Sequence, residues 1–146
     1  GEELGWRGFA APVMVRIFGF WKGQTLLGII WFAYHLPALL LTDYGKSEHL
    51  IFGNVMFLIS LTALSYFLGW ARQQSNSVWP STLFHASHNL IFLHLFEPVT
   101  LIQDNASWLV GEQGLLLVLV QVLLAGSTFI VYRQHASEFT NAPPPT

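Results

Sequence analysis

Gly1-Glu2-Glu3-Leu4-Gly5-Trp6-Arg7-Gly8-Phe9 sets two adjacent carboxylates and an arginine at the head of an otherwise apolar segment. Charge is costly in such surroundings unless it is paired, so the spacing of these three residues is informative. At helical period Glu3 and Arg7 fall four apart on one face, a favourable ion-pair spacing, while Glu2 points roughly 100° away and is left for other work. Any group that faces Glu2 must come from elsewhere in the chain.

The composition supplies the setting. Of the 146 residues, 53% are hydrophobic and only 10% charged, against roughly 25% charged in soluble domains. The mean hydropathy is +0.49, and the chain reads as an integral membrane protein. A net charge of -2 and the lack of any Lys/Arg run exclude nucleic acid as a partner. With no cysteine there is no disulfide framework, thiolate zinc site or cysteine nucleophile. The first residue already lies within a helical pattern, without a starting Met, a basic leader or a signal-peptide pattern, so further transmembrane segments are expected ahead of it.

Outward from the opening stretch, about five membrane segments are expected, forming an all-α polytopic transmembrane helix bundle. The first runs from about Glu2 to Phe18 and ends near Arg16, Gly19 and the Trp21-Lys22 pair, an aromatic and basic cluster suited to a membrane interface. The second, about Gln24 to Leu41, carries Tyr34 and His35, with Pro37 placed to kink or loosen it. The third, about Leu50 to Trp70, is long enough to span a ~30 Å core. The fourth starts near Trp79-Pro80, extends to about Phe96 and bears His85, His88, Asn89 and His94. The fifth covers about Gly114 to Tyr132 and ends in Arg133. Residues 1–135 therefore read as one core and residues 136–146, with their Pro run, as a disordered tail. Placing Arg16, Lys22, Arg72 and Arg133 in the cytoplasm leaves only Lys46 opposite, among Asp43, Glu48, Glu97, Asp104 and Glu112. That asymmetry fits a bacterial plasma membrane.

The polar residues share a depth. Glu3, His35 and His85 each lie thirteen residues from a basic residue of that cytoplasmic side, Arg16, Lys22 and Arg72 in turn. Thirteen helical residues are ~20 Å, and Asn89 lies one turn beyond His85 on the same face. Ionisable residues inside a membrane usually face a bundle interior and mark a functional site. Carboxylates, histidines and an asparagine from three helices are the parts of a water-activating hydrolase. Glu2, linked through water to His35, is placed to act as general base, with His85 and Asn89 as donors to a developing oxyanion.

These residues also form an ordered set of motifs. Glu2-Glu3-x-x-x-Arg7, then Trp31-x-x-x-His35, then His85-x-x-x-Asn89, resemble the EExxxR, FxxxH and HxxxN motifs of the CPBP family. That group comprises intramembrane glutamic endopeptidases, the CAAX proteases and bacteriocin-processing or abortive-infection proteins, related to the Ras-converting prenyl-protein protease. The resemblance covers about Gly1 to Phe96. It implies an intramembrane peptide hydrolase in which Glu2 and His35 activate water, His85 and Asn89 stabilise the oxyanion, and Glu3 and Arg7 support the geometry. It implies as partners a protein or peptide substrate, prenylated or membrane-embedded, together with membrane lipid. Trp31 stands where the motif has Phe, and the family's N-terminal helices are not in this chain.

Other chemistries have weaker support. HExxH and GxSxG are absent, and Asp43 and Asp104 lie outside the apolar spans, which argues against those zinc and serine classes and against an aspartyl dyad. No cofactor is expected, although zinc held by Glu2, His35 and His85 is a workable variant of the same protease. A non-catalytic immunity or scaffold protein is the competing class, and a transporter with a proton relay fits the charges but lacks broken-helix repeats. Glu3 and Arg7 have a structural reading as a bare ion pair, while His88 and His94 are expected to bond loops, headgroups or Tyr and Ser neighbours.

Overall fold

The computed structural model of the chain describes residues 1–42, 49–91, 95 and 108–134. Among these residues there is no strand. Helix α1 (Glu2–Gly5) passes through one wide π turn (Trp6–Ala10) into α2 (Ala11–Phe18), followed by α3 (Phe20–Leu41), α4 (Leu50–Ser75), α5 (Trp79–Asn89) and α6 (Leu115–Gln134).

The breaks follow local chemistry. Gly19 separates α2 from α3 at φ 75°, a backbone conformation that a side chain would strain. Asn76 ends α4 at φ 49°, one of the few side chains that tolerates the left-handed region. Pro80 sits in the first turn of α5, where its missing N–H is no loss. Pro37, by contrast, lies inside α3, and the helix continues past it to Leu41.

Three helices, α3, α4 and α6, with 22, 26 and 20 residues, are long and apolar enough to cross a membrane. The expectation of about five segments is therefore met by three full spans and two shorter pieces. In the fourth segment the regular α-helix, α5, has 11 residues, roughly 17 Å. Its turns widen to π-helix at Leu90 and Ile91; the rest of the run toward Phe96 lies largely outside the described residues. Lys46, Glu97, Asp104, His94 and the 136–146 tail lie outside the described residues.

The core is built on Trp31, Leu39, Phe57, Leu61, Leu64 and Leu68, from α3 and α4. These two helices approach closely because Gly28 faces Thr62, where an added Cβ would lie 2.6 Å from the Thr62 Cα. Such small-residue contacts are how helices associate where the surroundings are as apolar as the side chains. Helix α5 leans on α4 through Phe67 and Phe84, 4.7 Å between ring centroids, and through Ser81 Oγ, which donates to the Leu68 carbonyl at 2.9 Å. Helix α6 meets α3 where Tyr132 stacks on Phe20 at 4.6 Å and packs edge-on against Trp21 at 5.3 Å. Arg133 thus lies at the end that carries Lys22, while Arg16 and Arg72 line one small cavity. The four basic residues gather at one end of the bundle, as their sequence positions imply.

Gly28→Val places a branched side chain against the Thr62 backbone. Overpacking of this kind costs about 1–3 kcal/mol, so thermal unfolding of the detergent-solubilised protein should show a clearly lowered Tm for Gly28→Val. An unchanged Tm would contradict the close α3–α4 contact.

Candidate functional site

The opening helix delivers three charged side chains to the bundle. Arg7 is fully buried and Glu3 is 3% exposed, whereas Glu2 is exposed. Arg7 Nη1 donates to Glu3 Oε1 at 2.9 Å and its Nη2 donates to Ser65 Oγ of α4 at 3.3 Å. The same Glu3 oxygen accepts from His85 Nδ1 at 2.8 Å, joining α1 to α5 across 82 residues of chain. Glu3 is therefore more than the partner of a bare ion pair: it ties a cation and a histidine to one point.

Trp31 is the second organising side chain. Its ring lies 4.3 Å beneath the Arg7 guanidinium and 5.2 Å edge-on from His85. Its Nε1–H donates to Glu2 Oε2 at 3.3 Å, and its backbone carbonyl accepts from His35 Nδ1 at 2.8 Å. A carbonyl only accepts, so His35 carries a proton on Nδ1. The phenyl ring of the family motif has no donor for Glu2. At this position the indole supplies a hydrogen bond that a phenyl ring could not.

Glu2, His35, His85 and Asn89 line one cavity of about 740 Å³, together with Trp31, Tyr34, Pro37, Phe57, His88, Glu112 and Gln121. Pro37 has no N–H to offer the Ala33 carbonyl one turn back, and both residues lie on the cavity wall. The cavity is of ordinary size for a small-molecule or peptide-side-chain site, in the ~300–1,000 Å³ range. Among the described residues no group of three or more His, Asp or Glu side chains is close enough to share a metal ion, so Glu2, His35 and His85 line the cavity without converging as a ligand set.

The sequence reading missed a polar chain on the far wall. Ser60 Oγ of α4 donates to Gln121 Oε1 of α6, and Gln121 Nε2 donates to His88 Nε2 at 3.1 Å. His88 Nδ1–H then donates to Asn89 Oδ1 at 3.3 Å. His88 thus bonds Gln121 and Asn89, two partners that were not expected of it. The available signal was Gln121 itself, a buried amide inside an otherwise apolar span.

Fold and site together define a polytopic helical membrane protein with a polar chamber inside its bundle. Comparison with known proteins agrees: residues 1–91 match the family described as Type II CAAX prenyl endopeptidase Rce1-like, and the chain belongs to that family. It is also similar to a CAAX prenyl protease 2 of Methanococcus maripaludis, 27% identical over 93 residues, covering 61% of this chain and 34% of the relative. The chain thus spans about a third of the length of that curated relative. No solved structure matches.

Removing one partner of a buried pair strands the other charge, at a cost of about 3–5 kcal/mol. Arg7→Leu should lower unfolding stability in detergent by that order, and the double change Glu3→Gln with Arg7→Leu by less than the sum of the singles. Strict additivity would show that the pair is not coupled.

Proposed function

We propose that the protein is an intramembrane endopeptidase that hydrolyses a peptide bond with water activated by Glu2 and His35. The observation that carries this reading is the single cavity lined by Glu2, His35, His85 and Asn89, with His35 Nδ1 tied to the Trp31 carbonyl. His35 Nε2 is then the ring atom suited to take a proton from water. Glu2, oriented by the Trp31 indole, holds the same water and receives or shares that proton.

Attack of the water oxygen on the scissile carbonyl carbon breaks its π bond and leaves charge on the carbonyl oxygen. Asn89 supplies an amide N–H donor to that oxyanion. His85, with Nδ1–H held by Glu3, donates from Nε2–H in its doubly protonated form. Collapse of the tetrahedral species breaks the C–N bond, and the proton taken from water goes to the leaving amine. No side chain becomes covalently attached. Glu3 and Arg7 act on the substrate only through His85 and Trp31.

The family and the name of the archaeal relative support a prenylated or membrane-embedded protein C-terminus as the substrate class. The basic end of the bundle supports a cytoplasmic face at Arg16, Lys22, Arg72 and Arg133, in keeping with a bacterial plasma membrane.

The test is cleavage of prenylated and unmodified peptides by the full-length protein in detergent, with and without a strong chelator. Loss of one oxyanion donor costs roughly 10²–10³ in kcat. Asn89→Ala should fall in that range, and Glu2→Gln, which keeps volume but removes the charge of the base, should abolish turnover. Wild-type cleavage is expected to be indifferent to chelator. Chelator-sensitive cleavage would replace this mechanism by the zinc variant, and full activity in Glu2→Gln would overturn it.

A more specific expectation concerns Trp31→Phe. It retains the ring beneath Arg7 but loses the N–H to Glu2, a charge-assisted hydrogen bond of about 1.5–3 kcal/mol. The fall in kcat/KM should be roughly 10- to 100-fold, with little loss of folded protein by circular dichroism. Wild-type kinetics in Trp31→Phe would remove the indole from the mechanism.

A further inference from the structure

Asn89 is useful to an oxyanion only through its NH2; turned over, it would present a carbonyl oxygen and repel the developing charge. The side-chain amide is nearly symmetric in shape, so packing alone chooses poorly between these orientations. The choice has to be made by hydrogen-bond polarity.

We infer that Ser60, Gln121 and His88 form a positioning chain that fixes the Asn89 amide with its NH2 toward the cavity. The inference rests on the reading of Asn89 as an oxyanion donor. Each link has a direction. The Ser60 hydroxyl donates to Gln121 Oε1, which turns the Gln121 NH2 to His88 Nε2 at 3.1 Å. A histidine nitrogen that accepts carries the lone pair, so the His88 proton is on Nδ1, where it donates to Asn89 Oδ1 at 3.3 Å. With Oδ1 occupied, the amide donors of Asn89 are what remain for the cavity.

The anchors of this chain are deep. Ser60 and Gln121 are each 2% exposed, so solvent does not compete for the links between α4 and α6. Gln121 also lies beyond residues 1–91, the part of the chain that matches the family. Helix α6 therefore contributes to the site through the polarity of this chain, and Gln121 is a positioning residue.

The same links can also run in the opposite direction. Gln121 would donate to Ser60 and accept from His88 Nε2–H, and His88 Nδ1 would accept from Asn89. The two states differ in the tautomer of His88, and that difference is measurable without any substrate.

The experiment uses 15N-histidine-labelled full-length protein in detergent, with the His88 signals identified by their loss in His88→Gln. In the wild type, His88 should be the neutral Nδ1–H tautomer. Gln121→Met is close in shape and lacks both donor and acceptor, so it should remove that tautomer preference. On prenylated peptide substrate the same variant should show kcat reduced roughly 10- to 100-fold, short of complete donor loss, with KM little changed. An Nε2–H tautomer in the wild type, a His88 spectrum unaltered in Gln121→Met, or wild-type kcat in that variant would each overturn the inference. Because the tautomer is read without turnover, a wild type that cleaves nothing defeats the proposed activity, while the spectrum still decides the polarity of the chain.

Discussion

One carboxylate oxygen holds the site together. Glu3 Oε1 accepts from Arg7 at 2.9 Å and from His85 at 2.8 Å, inside a bundle where neither charge has water to turn to. Desolvating a carboxylate and a guanidinium costs several kcal/mol each, and only close, multiple hydrogen bonds offset that cost. The contacts that supply the offset are also the contacts that fix geometry. They bring the short α5 to the head of the chain, reach α4 through Ser65, and set Arg7 over the face of Trp31.

From that point the order passes to Trp31, which is almost wholly buried and uses every part of itself. Its face meets Arg7, its edge meets His85, its indole N–H meets Glu2 and its carbonyl meets His35. The two histidines are consequently held in matching fashion, each by Nδ1, but against different acceptors. His35 faces a neutral carbonyl and His85 a carboxylate, and the proposed mechanism uses the first ring as a base and the second as a donor.

Much of this was legible in the chain itself. The apolar composition gave the membrane setting, Gly19 and Pro80 marked helix boundaries, and the spacing of Glu3, His35 and His85 from basic residues indicated a common depth. The Glu3–Arg7 pair followed from helical period because Glu3 lies in α1 and Arg7 only at the onset of the wide turn at Trp6–Ala10. What period could not show was the wide turn itself, or the one at Leu90 and Ile91, since an apolar run reads the same whether or not its turns widen. The roles of Ser60, Ser65 and Gln121 were hidden for another reason. A lone polar residue in an apolar span announces only that it needs a partner, and the partner is chosen by packing between helices distant in sequence.

The central claim is that water, not a protein side chain, attacks the scissile carbonyl. The most direct measurement is the intact mass of the full-length protein quenched with acid during turnover of a prenylated peptide in 18O-labelled water. The account predicts protein of unaltered mass at every time point and one 18O in the new carboxylate of the first turnover. A peptide-sized mass increment on the protein, mapped to Glu2 or to any serine, would contradict it.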